Sequence, residues 1–357
     1  MRTWRSLFLF APVLYARRGA AASGRGSLVS LLPTEQRREH SQWANTDRRE
    51  ELISRLSTMS KGSDRSRLEW QVDTFYLPLY LHLKSKMLSR RKEQGNTSGP
   101  LFVGISAPQG CGKTTLTTLM EYLFEKDLYS CVSCSLDDFY LTGEAQDALA
   151  LAHPTEPLLQ YRGNAGTHDM PLMLSTLRLL KQGGGKGREG TTTGLANLRV
   201  PRYDKSLRGG RGDRAPDEEW RNLGSNSPDI VLFEGWMLGF EPLPDSDIKD
   251  PALRVVNGHL RSYAPLHALF DTWLVIAVDT VDHVYKWRLQ AEQNMGLQGK
   301  PRLSDDQVAD FVNRFMPAYK AYLPSLYSLG PKRGPGVTVT KINVAEDRSV
   351  VGAVAFD

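Results

Sequence analysis

The chain has 357 residues, of which 40% are hydrophobic and 24% are charged, and its formal net charge is +5 at pH 7. These values are typical of a globular protein with a sizeable core. No apolar run approaches the roughly 18 residues that a membrane-spanning helix needs, which argues against a membrane partner.

The positive charge is concentrated in the first 34 residues, which contain no lysine, aspartate or glutamate. The leader's five arginines, which account for the whole net charge, are Arg2, Arg5, Arg17, Arg18 and Arg25. Residues 35–357 are therefore close to neutral, whereas nucleic-acid binding needs a basic surface on the folded domain, so we expect no nucleic-acid partner. An arginine-rich, acid-free leader predicts an organellar transit peptide over residues 1–34, and composition alone does not separate plastid from mitochondrion.

The chain contains only three cysteines, and this small odd number argues against a disulfide framework. Cys131 and Cys134 form a C-x-x-C pair inside a strand-like run, where residues three apart point to opposite faces. No second pair completes a zinc site, so both are predicted to be small buried side chains.

The sequence predicts a linker followed by N-terminal helices over residues 35–97. Residues 35–65 are polar and charged, as in a linker that leads into a helix. Residues 66–92 carry apolar side chains at helical spacing, with Pro78 marking a break or a new start.

From Leu101 onward, short apolar runs alternate with amphipathic stretches. Strands are predicted at 101–106, 130–136, 229–236, 272–279 and 337–344, and helices at 114–126, 170–182, 281–294 and 304–316. The runs are rich in Val, Ile and Leu, as in parallel strands that are covered on both faces. The sequence therefore predicts an α/β fold of the P-loop NTPase type over residues 98–350.

A phosphate-binding loop is predicted where the first of these strands meets its helix. Residues 107–114, "APQGCGKT", follow the Walker A pattern except that Ala107 replaces the first glycine. Backbone amides at the helix start would face the phosphates, Lys113 would bridge the β- and γ-phosphates, and the Thr114 hydroxyl would bind Mg²⁺. The predicted ATP-binding residues are Ala107, Pro108, Gln109, Gly110, Cys111, Gly112, Lys113, Thr114 and Thr115.

Carboxylates are predicted at the same edge of the sheet. "SLDDFYL" places Asp137 and Asp138 after the second strand, where one carboxylate can accept a proton from a substrate hydroxyl or hold Mg²⁺. "DIVLFEGW" has the form of a Walker B strand, so Glu234 is expected beside Mg²⁺, directly or through water.

These motifs are accompanied by others: "YRGNAGTHD", "VPRYDKSLRGGRGDR" and "MPAYKAYLPSLY". Together they resemble the plant and fungal type of D-glycerate 3-kinase, a branch of the P-loop kinases that include uridine kinase, phosphoribulokinase and pantothenate kinase. The resemblance covers roughly residues 70–345. It implies transfer of the γ-phosphoryl group of ATP to the 3-hydroxyl of D-glycerate with Mg²⁺, which in plants and algae closes photorespiration in the plastid.

The resemblance also suggests roles for single residues. By similarity to the uridine kinase pattern, Asp137 matches the general base, and Asp138 is the second candidate. A lid is expected over about 280–307 because phosphoryl transfer must exclude water. Arg288 occupies the position of the superfamily's lid arginine, with Lys300 and Arg302 as alternatives.

D-glycerate is a small anion with two hydroxyl groups, so its site needs a cation and hydrogen-bond partners. Such groups are offered by Arg162, His168, Asp169, Arg202, Tyr203, Asp204 and Lys205. Arg202 is the predicted carboxylate clamp, and His168 could equally be a structural turn residue.

Two other functions remain open at this stage. The chain could phosphorylate another metabolite, although a nucleoside kinase would need an aromatic pocket for the base. It could instead be an ATP-driven switch, although it has no clear N-K-x-D motif and the "SLDDFY" stretch has no obvious purpose in one. The oligomeric state is left open, with a monomer as the simplest expectation.

Overall fold

The structure of the chain, a computed structural model, describes residues 26–43, 46–60, 63–94, 99–182, 198–223, 227–297, 299 and 302–356. Most of the predicted transit peptide, residues 1–25, lies outside the described residues, as does Lys300.

The N-terminal region is more helical than the sequence predicted. Its helices are α1 (Thr34–Trp43), α2 (Asp47–Met59), α3 (Arg65–Gln71) and α4 (Leu77–Gln94). The prediction of a linker over residues 35–65 is therefore wrong, because α1 and α2 occupy most of this stretch. The helix α2 is mostly charged but buries a narrow stripe of Leu52, Ile53 and Leu56. A break or a new start was expected at Pro78, and the new start is confirmed because Pro78 is the second residue of α4. The chain is not broken there, since the π-helical turn Val72–Tyr76 joins α3 to α4.

The remaining elements follow in chain order. The strands are β1 (Leu101–Ser106), β2 (Cys131–Ser135), β3 (Arg199–Val200), β4 (Tyr203–Asp204), β5 (Asp213–Arg214), β6 (Arg221–Asn222), β7 (Ile230–Gly235), β8 (Thr272–Val278), β9 (Thr338–Val344) and β10 (Val350–Phe356). The helices are α5 (Lys113–Lys126), α6 (Gly143–Ala152), α7 (Met170–Gln182), α8 (Leu253–Leu260), α9 (Ala264–His267), α10 (His283–Leu297), α11 (Asp305–Asn313) and α12 (Met316–Leu329).

Six strands form the central sheet in the order β10-β9-β8-β1-β7-β2. The five predicted strands are confirmed and run parallel, with β1 paired to β7 and β8. The sixth strand, β10, is antiparallel to β9 and carries the sheet beyond residue 350, where the kinase domain was expected to end. Every residue of β1 and β8 is buried, as the apolar runs predicted for strands covered on both faces.

The predicted helices are also recovered, with one correction. The stretch 304–316 is not one helix: α11 ends at Asn313, and α12 begins at Met316 with a proline in its first turn. Among the described helices, none combines the length and apolarity needed to cross a membrane. All three cysteines are free, and the alternating burial of β2 puts Cys131 and Cys134 on opposite faces, as predicted. Cys134 is buried as expected, but Cys131 is only half-buried because it lies on the less covered face of the strand.

Candidate active site

The phosphate loop joins β1 to α5 in the centre of the sheet. Gly110 and Gly112 adopt φ values of 80° and 105°, which glycine reaches without strain. The Lys113 ammonium folds back over the loop and donates to the carbonyl oxygens of Ala107 (3.1 Å) and Pro108 (3.2 Å). The Thr114 side chain, one residue further along α5, is exposed. Lys113 therefore holds the loop in shape, and the Thr114 hydroxyl remains accessible.

Glu234 lies beside this loop on β7. The register places it between Ile105 of β1 and Ser135 of β2, and its carboxylate is 4.0 Å from the Lys113 ammonium. Burial raises the pKa of Glu234 although Lys113 opposes the shift, and repulsion from Asp137 adds to it. Negative charge is thus concentrated next to the phosphate loop.

Asp137 lies in the short helical turn Leu136–Phe139 that follows β2. Its carboxylate accepts hydrogen bonds from the Lys205 ammonium (2.6 Å) and the Tyr140 hydroxyl (2.9 Å). Burial alone would raise the pKa of Asp137, but the charges of Lys205 and Lys113 and these hydrogen bonds lower it to about 2. Asp137 is therefore ionised at every physiological pH.

The neighbouring Asp138 has a different environment. Its carboxylate accepts from the Ser135 backbone N–H at 3.3 Å and completes a capping box with that residue. It also accepts from the backbone of Tyr203. Burial, helped by repulsion from the nearby carboxylates, raises the pKa of Asp138 to about 6. The two adjacent aspartates are thus distinguished: Asp138 binds backbone amides of its surroundings, and Asp137 contacts side chains.

The "GTHD" stretch packs directly against this turn. Tyr140 and His168 form an antiparallel bridge, their rings stack with centroids 4.6 Å apart, and the Asp169 N–H donates to the Phe139 carbonyl at 2.7 Å. The His168 Nδ1 is 2.6 Å from the Tyr263 hydroxyl. Burial lowers the pKa of His168 to about 4, so the imidazole is neutral near pH 7.

The β4–β5 hairpin covers the same turn from another side. The Tyr203 ring meets Tyr140 edge-on with centroids 5.3 Å apart, and the residue after β4 is Lys205, which binds Asp137. Arg214 of β5 donates to the Tyr140 carbonyl (3.0 Å) and to Asp169 (2.9 Å). Three stretches that are distant in sequence therefore converge around Asp137.

Several known proteins resemble this chain over most of its length. The chain is 42% identical over 282 residues to the chloroplastic D-glycerate 3-kinase of Arabidopsis thaliana, a match that covers 78% of this chain and 60% of that protein. It is 35% identical over 253 residues to mug58 of Schizosaccharomyces pombe, described as an uncharacterized kinase, covering 68% of this chain and 88% of that one. The solved structure of D-glycerate 3-kinase from Cryptococcus neoformans matches with a TM-score of 0.68 and 31% identity, covering 78% of this chain and 98% of that chain.

The chain belongs to the D-glycerate 3-kinase family. It spans about 60% of the length of the Arabidopsis family member. No model of a known protein family matches it.

Some residues that the sequence predicted for the active site do not lie in the cluster of side chains around Asp137. Arg202 pairs with Glu219 at 3.1 Å, and its side chain is 59% exposed. Asp204 accepts from the Ser206 N–H at 2.8 Å. Arg288 of α10 pairs with the buried Glu292 instead of facing the phosphate loop.

Other predicted residues lie at the edge of the cluster. Arg162 donates to the Gly210 carbonyl (3.1 Å), bonds the Arg211 carbonyl, and lies 5.5 Å from the centre of the Tyr203 ring. Its charge reaches Tyr140 and Lys205. Arg302, an alternative lid cation, lies 3.7 Å from Asp305.

Several residues of the site had no predicted role. Tyr140 and Arg214 link the "DDFY" turn to the "GTHD" stretch, and Lys205 was named only as one option among several. On α12, Tyr319 accepts the Gln109 N–H of the phosphate loop at 3.0 Å. The "MPAYKAY" stretch, which carries Tyr319, was part of the family resemblance but gave no indication of this contact.

Cys111 permits a test of the phosphate loop. The thiol is buried, and burial raises its pKa, so a maleimide should label it slowly at pH 7. Once attached, the bulky group should abolish ATP binding, and ATP with Mg²⁺ should protect the thiol. Labelling is followed by mass spectrometry beside ATP binding, with Cys111→Ala as the insensitive control. Unimpaired turnover by fully labelled enzyme would contradict the placement of the loop.

Asp138 gives a prediction about stability and pH. Its folded pKa of about 6 exceeds the ordinary 3.8, so the native state binds more protons between these values and loses stability as the pH rises through them. Asp138→Asn should therefore increase the free energy of unfolding by about 1–3 kcal/mol at pH 7.5 and leave it almost unchanged at pH 4. Denaturant melts at both pH values check this, with the exposed Asp305→Asn as a control. A gain of equal size at both pH values would contradict the assignment.

Proposed function

We propose that this chain transfers the γ-phosphoryl group of ATP to the 3-hydroxyl of D-glycerate, forming 3-phospho-D-glycerate and ADP. The observation that carries the proposal is the position of Asp137. It is ionised, lies within range of the Lys113 charge, and is enclosed by the "GTHD" stretch and the β4–β5 hairpin. The names of the Arabidopsis and Cryptococcus relatives support the choice of acceptor.

The phosphate chain of ATP is assigned to the loop and to the start of α5. Backbone amides at a helix N-terminus bind anions, and Lys113 supplies the charge for the transferring group. Its present hydrogen-bond partners, two loop carbonyls, are neutral, and the Glu234 carboxylate lies 4.0 Å away. An ATP phosphate offers the ammonium a stronger, charge-assisted contact, so we infer that Lys113 exchanges these carbonyls for phosphate oxygens.

The donor set of the site also fits Mg²⁺. No group of three His, Cys, Asp or Glu side chains with the spacing of a complete metal site occurs in the part of the chain that the structure describes. Mg²⁺ does not need one, because it keeps several waters and takes one or two carboxylates together with phosphates. Thr114 and Glu234 would hold it, whereas both carboxylate oxygens of Asp137 are engaged by Tyr140 and Lys205. Burial raises the pKa of Glu234, and a bound cation would favour its ionised form. Bound Mg²⁺ would neutralise charge on the β- and γ-phosphates.

Asp137 is proposed as the base that accepts the proton of the 3-hydroxyl. Its low pKa is compatible with this role because the transition state of phosphoryl transfer is loose, and the proton leaves the hydroxyl late. Orientation then matters more than basicity. Lys205 and Tyr140 each hold one carboxylate oxygen of Asp137, which fixes that orientation.

The carboxylate of D-glycerate needs a cation close to this base. Lys205 contacts Asp137, and Arg162 lies close enough for its charge to act on Lys205, so both are better placed than Arg202, which pairs with Glu219. We propose Lys205 and Arg162 as the primary carboxylate partners. His168, Asp169 and Tyr203 are proposed to shape the hydroxyl side of the pocket.

We propose changed roles for Arg288 and Asp204. Arg288 remains the proposed lid cation, and to reach the phosphates it must leave Glu292. Asp204, whose carboxylate caps its own turn, is proposed to support the hairpin and not to contact the substrate.

We propose the plastid stroma as the compartment and photorespiration as the process. The basic, acid-free leader and the chloroplastic relative support this placement. A mitochondrial location is the alternative, because the leader composition fits both organelles.

The decisive experiment is a coupled ADP-release assay with ATP and Mg²⁺ on the full chain. D-glycerate, L-glycerate, uridine, pantothenate and ribulose 5-phosphate are offered in parallel, and the product is identified by mass and NMR. Turnover that depends on D-glycerate and yields 3-phosphoglycerate is expected. Turnover with another acceptor would keep the phosphate loop and reassign the acceptor pocket, and no acceptor dependence would overturn the kinase proposal.

A further inference from the structure

The hairpin turn between β9 and β10, residues 345–349, reaches the phosphate loop. The Arg348 Nε donates to the Gly110 carbonyl at 2.7 Å. Its two terminal nitrogens lie 3.2 Å and 3.3 Å from the Gln290 side-chain oxygen, and its guanidinium is 5.1 Å from the centre of the Trp287 ring. One side chain from the C-terminal hairpin thus joins the phosphate loop to α10, the first helix of the proposed lid.

The backbone of this turn is tightly determined. Arg348 has a φ of 65°, a conformation that costs free energy for a residue other than glycine. Its N–H donates to the Ala345 carbonyl (2.8 Å), and the Trp287 indole N–H donates to the Glu346 carbonyl (2.7 Å). Arg67 of α3 bonds the Asp347 carbonyl. These contacts come from three parts of the chain and hold Arg348 against the loop.

The contact with Gly110 has a consequence for the amide that follows it. A trans peptide is planar, so the Gly110 carbonyl and the Cys111 N–H point in opposite directions. Arg348 binds the carbonyl from outside, and the Cys111 N–H is directed into the loop, where it makes a long contact of 3.4 Å with the Pro108 carbonyl. Tyr319 holds the preceding Gln109 N–H. The loop is therefore anchored at two peptides, Pro108–Gln109 and Gly110–Cys111, with one peptide between them.

The geometry points to Arg348 as a positioning residue of the phosphate loop, which orients the Gly110–Cys111 peptide for phosphate binding and couples the loop to α10. The three groups that its guanidinium touches (a carbonyl, an amide and an indole) are neutral, so its positive charge also favours an anion in the loop. The inference rests on the proposed use of ATP but not on the identity of the acceptor.

The test measures nucleotide binding by the full chain and by its Arg348→Met and Arg348→Lys variants. A fluorescent ATP analogue is displaced by ATP and, separately, by inorganic tripolyphosphate. Arg348→Met should lower the affinity for ATP and for tripolyphosphate about tenfold each, because a charged hydrogen bond and the loop geometry are lost. Arg348→Lys, which retains the charge, should recover part of the affinity. The KM for D-glycerate should change by no more than about twofold, as for a residue that acts on one substrate.

Lys286→Met is the matched control. Lys286 ties the same turn to the same helix through Glu346, but its side chain is 62% exposed, and such surface pairs contribute little. ATP affinity should therefore be retained. If Arg348→Met fails to fold, Gln290→Ala removes one hydrogen-bond partner of the guanidinium and should still lower the affinity for tripolyphosphate measurably.

Three results would overturn the inference: unchanged binding of both competitors, loss of ATP binding without loss of tripolyphosphate binding, or an equal effect of Lys286→Met. The second would mean that Arg348 contacts the base. If the wild type binds ATP but does not phosphorylate D-glycerate, the proposed acceptor fails while the Arg348 result stands.

Discussion

Lys113→Ala should fold normally, and its kcat should fall by about a hundredfold to a thousandfold. The ammonium donates to two carbonyls of the phosphate loop and lies 4.0 Å from Glu234. Without it, the charge that develops on the transferring phosphoryl group loses its main protein partner. Steady-state kinetics with ATP and D-glycerate check the loss, and thermal unfolding checks the fold.

Lys320→Ala is the control for this prediction, because Lys320 is an exposed lysine on α12. It should leave both kcat and the unfolding temperature almost unchanged. Activity near the wild-type level in Lys113→Ala would refute the assignment of the loop. Loss of folding in the same variant would instead mean that the lysine's bonds to Ala107 and Pro108 are structural, and Lys113→Met would then be needed to preserve the packing of its stem.

The parts of the fold that could be predicted are those encoded locally. The strand, loop and helix around Lys113 follow from an apolar run, two glycines and an amphipathic stretch within about 26 residues, and β1 and α5 have the expected bounds within one residue. The apolar run of β8 likewise predicted that this strand is buried on both faces. In such segments, the periodicity and the turn residues agree with the final structure.

The missed elements have weaker local signals. The helix α2 is mostly charged, and its apolar stripe is too narrow to stand out from a solvated linker. The strand β10 depends on pairing with β9 and on a turn whose Arg348 adopts a left-handed conformation. No sequence rule assigns that conformation to an arginine, because the neighbouring elements impose it.

The candidate site shows the same division. The sequence could propose Asp137 and Asp138 together but not separate them, because their difference arises from partners distant in the chain. Lys205, 68 residues away, binds Asp137, and the backbone of Tyr203, which lies on the β4–β5 hairpin, binds Asp138. Similarly, the sequence favoured Arg202 over Lys205 as the carboxylate clamp, and only the hairpin β4–β5 determines that Lys205 faces the base while Arg202 pairs with Glu219.

The opposite pKa shifts of the two aspartates indicate a division of work. Lys205, Lys113 and Tyr140 keep Asp137 ionised, whereas Asp138 is held by backbone amides and gains a proton near pH 6. Both carboxylates are ionised above about pH 7, so Asp137 is favoured as the base by its contacts with the Lys205 and Tyr140 side chains, whereas Asp138 is engaged by backbone amides. A variant at each position can therefore separate catalysis from local structure.

Asp137→Asn should reduce kcat by about 10²–10⁴-fold while ATP binding, measured by fluorescence or calorimetry, stays close to the wild-type value. The amide keeps the shape of the carboxylate but can neither accept the hydroxyl proton nor balance the Lys205 charge. The matched variant Asp138→Asn should cost much less, since an amide oxygen can still accept from the Ser135 N–H. The outcome that reverses the assignment is a larger loss of kcat in Asp138→Asn than in Asp137→Asn. Loss of ATP binding in Asp137→Asn would instead give that carboxylate a role in holding Mg²⁺ and not in proton transfer.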